Sequence, residues 1–154
     1  MSFEPPSQGS GYLVLMIPEP CPLCGIQGPF IPLQVIGHHL GPEGLSLARD
    51  WTKAFLCSNP DCDAFYYCLW QVVPIQYANK PLGFKKNSPP PHPLCYCLGF
   101  TKEEILREGS DKGPGSRLWM IQRHMAKTPQ MCSRKNPTGV CCWDQVQRVL
   151  EKGV

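Results

Sequence analysis

The chain has no Lys or Arg before Arg49, and its N-terminal apolar run, Leu13 to Ile17, is only five residues long. A secretory signal needs a basic start and an apolar stretch of about 7–15 residues. A membrane-spanning helix needs about 20. Neither is present, so the reading is a cytoplasmic protein with no membrane partner. Charge is also scarce. Charged residues make up 18% of the chain, the formal net charge is +3, and the longest basic runs are the pairs Lys85-Lys86 and Arg134-Lys135. A nucleic-acid-binding surface needs a basic stripe, so nucleic acid is not an expected partner. There is no internal repeat, no heptad and no low-complexity tract beyond one proline run.

What is abundant is cysteine, proline and glycine: 10, 18 and 14 in 154 residues. That much Pro and Gly excludes a long-helix or coiled-coil protein. Six Phe, five Tyr and four Trp exclude a disordered one. Ten cysteines leave a disulfide framework or metal sites, and in a reducing compartment clustered thiols bind metal.

The cysteines fall into two sets. Cys21, Cys24, Cys57, Cys62 and Cys68 precede Ser88-Pro-Pro-Pro-His-Pro93, and Cys95, Cys97, Cys132, Cys141 and Cys142 follow it. That proline-rich stretch favours extended geometry. The expected organisation is therefore a flexible tail over 1–19, with an edge strand possible over Tyr12–Ile17, a β lobe over 20–87, a stiff linker over 88–93 and a helical lobe over 94–154. The fold class is α+β, a β-rich zinc-ribbon-like lobe followed by a small helical one. Strands are expected at Phe30–Ile36, Trp51–Cys57 and Ala64–Val73 from their aromatic and β-branched content, and a short helix at Leu45–Asp50. In the second lobe Thr101-Lys-Glu-Glu104 is a capping box that opens a helix ended by Gly109. Ser116 caps a second helix that stops before Pro129. A third runs from Trp143 to Lys152 with Gly153 as its stop.

Cys21-Pro-Leu-Cys24-Gly25 is a C-x2-C knuckle, and Cys57-Ser-Asn-Pro-Asp-Cys62 lies 32 residues further on. Two such pairs make a closed tetrathiolate shell for one structural Zn2+, with no open coordination position. The competing arrangement replaces Cys57 or Cys62 with His38 or His39. Cys68, in an alternating strand, reads as a core residue.

Cys95-Tyr-Cys97 has a tighter spacing than zinc usually takes. A C-x-C pair suits one iron of a [2Fe–2S] cluster, which needs four thiolates. The second pair comes from Cys132, Cys141 and Cys142, and spacing leaves a second zinc site open. A thiol enzyme is not indicated, because no arrangement pairs a cysteine with a nearby base. Met120, Met125 and Met131 read as helix core rather than copper ligands, and His92 and His124 as linker and helix-surface residues.

Taken together, Cys21-Pro-Leu-Cys24, the Cys57–Cys62 pair, Phe65-Tyr-Tyr, Cys95-Tyr-Cys97 with Thr101, Cys132 and Asn136-Pro-Thr-Gly-Val-Cys-Cys142 resemble the N-terminal domain of the archaeal-type copper chaperone CopZ, over about Cys21 to Leu150. The resemblance implies a mononuclear zinc and a [2Fe–2S] cluster, the latter in a lobe similar to bacterioferritin-associated ferredoxin. It implies Cys95, Cys97, Cys132 and Cys142 as cluster ligands, with Cys141 spare. The sequence lacks the Met-x-Cys-x-x-Cys copper loop of the full-length chaperone. The implied role is thus a redox carrier, not an enzyme, acting in electron transfer or copper handling with a redox partner or a copper-handling protein. Eight ligating thiolates and the two cationic centres would then take the formal charge from +3 down by eight and up by four, to about −1.

Overall fold

The computed structural model describes residues 19–153, apart from the side chains of residues 129, 130 and 132. The tail read over 1–19, with its edge strand at Tyr12–Ile17, therefore falls almost wholly outside the described residues. The α+β class expected from the sequence is the class observed. A four-stranded antiparallel sheet is built from β1 (Phe30–Ile31), β2 (Ala54–Leu56), β3 (Ala64–Cys68) and β4 (Gln71–Pro74) in sequential order. Two short helices, α1 (Leu33–Gly37) and α2 (Pro42–Leu47), lie between β1 and β2. The second lobe opens with a ribbon of β5 (Pro93–Cys95) and β6 (Phe100–Thr101), then α3 (Lys102–Glu108), α4 (Arg117–Lys127), α5 (Pro129–Lys135) and α6 (Trp143–Lys152).

Three differences from the sequence reading have local causes. The strand expected over Phe30–Ile36 ends at Ile31, because Pro32 cannot donate to a ladder and instead leads into α1, whose Val35 and Ile36 are buried. The strand expected over Ala64–Val73 is a hairpin turning at Leu69-Trp70, with Leu69 at φ 55°. No Gly, Asn or Asp marks that turn. The helix expected over Leu45–Asp50 begins earlier, at Pro42, where a proline suits the first helical position.

All five residues of β3 are buried, so the sheet is covered on both faces. Along β2, Ala54 and Leu56 join the main core while Phe55, with Cys57 just beyond the strand, joins a second cluster around the first thiols. On β3 a bulge between Ala64 and Tyr66 breaks the alternation. Ala64 and Tyr67 face the thiols, whereas Phe65, Tyr66 and Cys68 face the main core. A bulge changes which face successive side chains take, and here it lets the Phe65 and Tyr66 rings stack, 3.8 Å between centroids. Cys68 is the core residue its strand position indicates.

The helical lobe follows its capping signals. Thr101 and Glu104 form the reciprocal capping box of α3, and Gly109 ends the helix. The Ser116 side chain accepts from the Trp119 amide at the start of α4. The helix α4 stops before Pro129 as expected, but Pro129 then opens α5, which the sequence reading did not foresee. Pro93 takes the first position of β5 and pairs with Thr101, a place where its missing N–H costs nothing. The helical core is Leu94, Ile105, Leu118, Ile121, Val146 and Val149 together with Cys95 and Cys142.

The turn Asn136-Pro137-Thr138-Gly139 joins the lobes. Asn136 Oδ1 accepts from the Thr138 amide and hydroxyl. The Tyr66 hydroxyl donates to the Pro137 carbonyl at 2.5 Å, and His39 Nε2–H donates to the Arg134 carbonyl at 2.9 Å. Burial pushes the Tyr66 phenol well above its usual range, so it remains a donor. Replacing Tyr66 by Phe strands the Pro137 carbonyl in the interior. The expected cost is about 1–3 kcal/mol of stability, to be read as a lower denaturation midpoint in urea with the metal content unchanged.

Candidate metal centres

The first centre is made by two turns held under the sheet. Cys21 N–H donates to the Ile26 carbonyl and Gly25 N–H to the Cys21 carbonyl, with Gly25 at φ 78°, so the C-x2-C segment closes on itself. A residue with a Cβ resists that backbone conformation. Opposite it, Asn59 Oδ1 accepts from the Asp61 amide and Cys62 N–H donates to the Asn59 carbonyl, which curls the C-x4-C segment. Cys57 is tied to β3 through the Phe65 carbonyl.

These turns bring Cys21, Cys24, Cys57 and Cys62 together, with all four sulfurs within 4.8 Å of one another. The Cys21–Cys62 separation is 4.0 Å and the Cys24–Cys57 separation 3.8 Å. A tetrahedral ion with Zn–S bonds of about 2.3 Å needs sulfur–sulfur edges of about 3.8 Å. The donor set and its size therefore fit Zn2+. Neither His38 nor His39 is among the converging ligand atoms, and His39 Nε2 is bonded to the Arg134 carbonyl.

Ionisation of these thiols is opposed by their setting. Burial pushes the Cys21, Cys57 and Cys62 thiols up. At Cys24 burial also acts upward, but hydrogen bonds with the Ile26 backbone, the Asn59 side chain and the Cys57 thiol outweigh it and bring the group to about 7. A divalent cation reverses this balance, because a coordinating thiol is deprotonated outright.

Lys85 supplies a second positive charge that motif reading missed. Its side chain is 1% exposed, and its ammonium donates to the Asn59 carbonyl at 2.7 Å and the Cys62 carbonyl at 3.0 Å. In the sequence it is only half of a basic pair. Its neighbour Lys86 is an ordinary surface residue paired with Asp61. Tyr67 was likewise quoted without a role. It accepts from the Gly28 amide at 2.9 Å and donates to the Glu19 carbonyl, fastening the segment that enters the C-x2-C knuckle.

The second group of cysteines surrounds the ribbon tip. Cys95 ends β5 and Cys97 lies in the turn before Gly99, whose φ of 77° and N–H to the Cys95 carbonyl close the loop. Cys142 is the N-cap residue of α6, where the helix dipole favours a thiolate. Its thiol meets that of Cys95, and this hydrogen bond is the main reason the Cys95 thiol falls to about 7. Cys95 is 1% and Cys142 4% exposed, while Cys97 and Cys141 are half-buried against the same core. Cys132 lies on α5, its side chain outside the described ones. Among the described residues, Cys95 and Cys142 are thus in contact and Cys97 packs on the same core, but no three of these thiols converge within 4.8 Å as those of the first centre do.

Comparison with known proteins agrees with this architecture. Residues 18–74 match the CopZ zinc-binding domain family, so the first lobe is similar to that zinc-binding domain, and its four-cysteine site fits a zinc ion. The crystal structure of the CopZ N-terminal domain from Archaeoglobus fulgidus is similar to this chain, with a TM-score of 0.67 and 22% sequence identity, covering 84% of this chain and 96% of that one. The chain therefore has the CopZ N-terminal domain fold. No curated protein matches the sequence. No described helix is long and apolar enough to cross a membrane.

Two outcomes follow for the zinc centre. Because three of its thiols lie above their ordinary values, zinc binding at pH 7 should release about three protons from them and a fraction of one from Cys24. Calorimetry in buffers of different ionisation enthalpy measures this, and affinity should fall as the pH is lowered, since protons compete for the thiolates. Lys85→Gln should weaken zinc retention against a chelator by about 10–100-fold, the usual effect of losing an outer-shell partner, while Lys86→Gln should leave it unchanged.

Proposed function

We propose that this protein is a small one-electron carrier in metal handling, with zinc holding the β lobe and a [2Fe–2S] cluster in the helical lobe on Cys95, Cys97, Cys132 and Cys142. The observation that carries the reading is the Cys95–Cys142 thiol contact at the tip of a ribbon that also bears Cys97. The donor chemistry fits the cluster: four cysteines, two of them from one C-x-C segment. When bound, such a cluster stores and returns a single electron.

The chain's own residues do the rest. Leu94, Ile105, Ile121 and Val146 pack around Cys95 and Cys142 and keep water from them. Cys97 and Cys141 are half-buried, and Val140 beside them is 59% exposed, so electrons would enter and leave at this edge. The acceptor would be a redox partner, or copper(II), which takes one electron to become copper(I). Turnover of a bound substrate is not required of such a carrier, so it is not an enzyme on this reading. A cytoplasmic location, where clustered thiols stay reduced, goes with this reading.

Purification without oxygen, followed by metal and sulfide analysis, tests the assignment. One zinc, two irons and two sulfides per chain are expected, with a red-brown colour and the paramagnetic signal of a reduced [2Fe–2S] centre. Two zincs and no sulfide would replace this reading with the alternative, a double zinc-ribbon module that binds protein or nucleic acid. Cys142→Ser should lose the cluster, whereas Cys141→Ser should keep it.

A further inference from the structure

A cleft of about 290 Å3 opens between the lobes, bounded by the Cys57–Cys62 knuckle on one side and by α6 on the other. Its floor is apolar. Leu94 and Val149 are 3% and 4% exposed, and the Phe84 ring and Pro60 complete the lining. Its polar lining holds Lys85, Lys86, Lys102 and Arg148 together with Ser58, Gln145 and His92, the last paired with Glu103, and no carboxylate is among the lining residues.

Two of these cations are already engaged. Lys86 pairs with Asp61, and Lys85 holds the knuckle carbonyls. Lys102 and Arg148 form no ion pair among the described residues. Lys102 opens α3 and Arg148 lies on α6, so both are positioned by helices rather than loose chain. Lys85 adds a fixed charge at the cleft wall: an ammonium has three donors, and two of them are spent on the carbonyls.

We infer that this cleft is a binding site for a small organic anion, one carboxylate on an apolar body, held by Lys102 and Arg148 over Phe84, Leu94 and Val149. The volume lies at the lower end of ligand pockets, which start at roughly 300 Å3, so a single small molecule fits the space. Apolar walls with a few convergent charged groups are what such sites present. Lys85 is offset by the thiolates it stands beside, so the sign of the ligand is set by Lys102 and Arg148, which have no ion-pair partner among the described residues. The inference stands apart from which metal the helical lobe holds, because no cysteine of either centre is among the cleft's lining residues.

The test uses the metal-loaded full chain and the fluorescent probe 8-anilinonaphthalene-1-sulfonate, with octanoate and octanol as competitors. Saturable binding of one probe per chain is expected, with octanoate displacing it at least about tenfold better than octanol, as loss of a charged hydrogen bond would give. Arg148→Glu should abolish the preference for octanoate, and Lys102→Gln should reduce it. Lys152→Glu, on the same helix but outside the cleft, should change neither. Metal content and far-ultraviolet dichroism of each variant establish that it is folded. Absence of saturable binding in the folded wild type, equal displacement by octanol and octanoate, or an unchanged preference in Arg148→Glu would each overturn the proposal.

Discussion

The fold of the β lobe rests on a conflict that a cation resolves. Four thiols are drawn under a sheet where burial resists their ionisation, and they stand at the separations of a tetrahedral shell. Without an ion, the two knuckles would bury polar sulfur against Phe55, Ala64 and Tyr67 for little return. With Zn2+, the same burial excludes water and strengthens the bonds. The Lys85 ammonium then sits beside a dianionic tetrathiolate, and its contacts with the carbonyls of Asn59 and Cys62 orient the knuckle that carries two of the ligands. Metal, charge and backbone are one unit here.

The sheet transmits that unit to the second lobe. Because β3 is buried on both faces, one face is committed to the thiols and the other to the main core. The bulge at Ala64–Tyr66 decides which residues go where. It places Tyr66 so that its hydroxyl reaches Pro137, in the turn just after α5. His39, entering from the end of α1, holds the Arg134 carbonyl one turn earlier. Burial, with the nearby Lys80 adding to it, lowers His39 to about 4, so the ring stays neutral and its Nε2–H remains a steady donor through the physiological range. The segment between Cys132 and Cys142 is thus fixed from outside its own lobe. A strict period-2 strand would have turned Tyr66 to the other face.

What the sequence made legible were features whose physics is local. The two knuckles, the Thr101–Glu104 box, the Ser116 cap and the glycine stops each depend on a few adjacent residues, and each lies where its spacing indicates. The α+β class followed from the same signals. The hairpin turn at Leu69-Trp70 was not legible, because Leu at positive φ is held there by tertiary contacts, among them the Leu69 amide on Glu19. The length of β1 was misread because aromatic and β-branched content outweighed Pro32. The helix α5 was hidden for the opposite reason: Pro129 was read as a stop and is also a start. Lys85 could not be found by motif, since nothing in a basic pair says which member turns inward. The contact between Lys85 and the knuckle spans more than twenty residues and exists only in the folded chain.

The two groups of cysteine differ in a way that bears on their division of labour. At the first, Cys21, Cys57 and Cys62 are buried, and four thiolates saturate a tetrahedral ion, so nothing is left to react and the centre's work is to hold shape. At the second, Cys95 and Cys142 are sealed, but Cys97 and Cys141 lie half-open beside an exposed Val140. A centre that exchanged electrons, as proposed above, would need dry polar atoms with one side near a partner, and a ribbon tip facing a helix N-terminus is compatible with both. Cys24 is half-buried beside the exposed Leu23, so exposure alone does not separate the two centres; convergence does, because four thiols meet within 4.8 Å in the first lobe, whereas in the second, among the described residues, Cys95 meets Cys142.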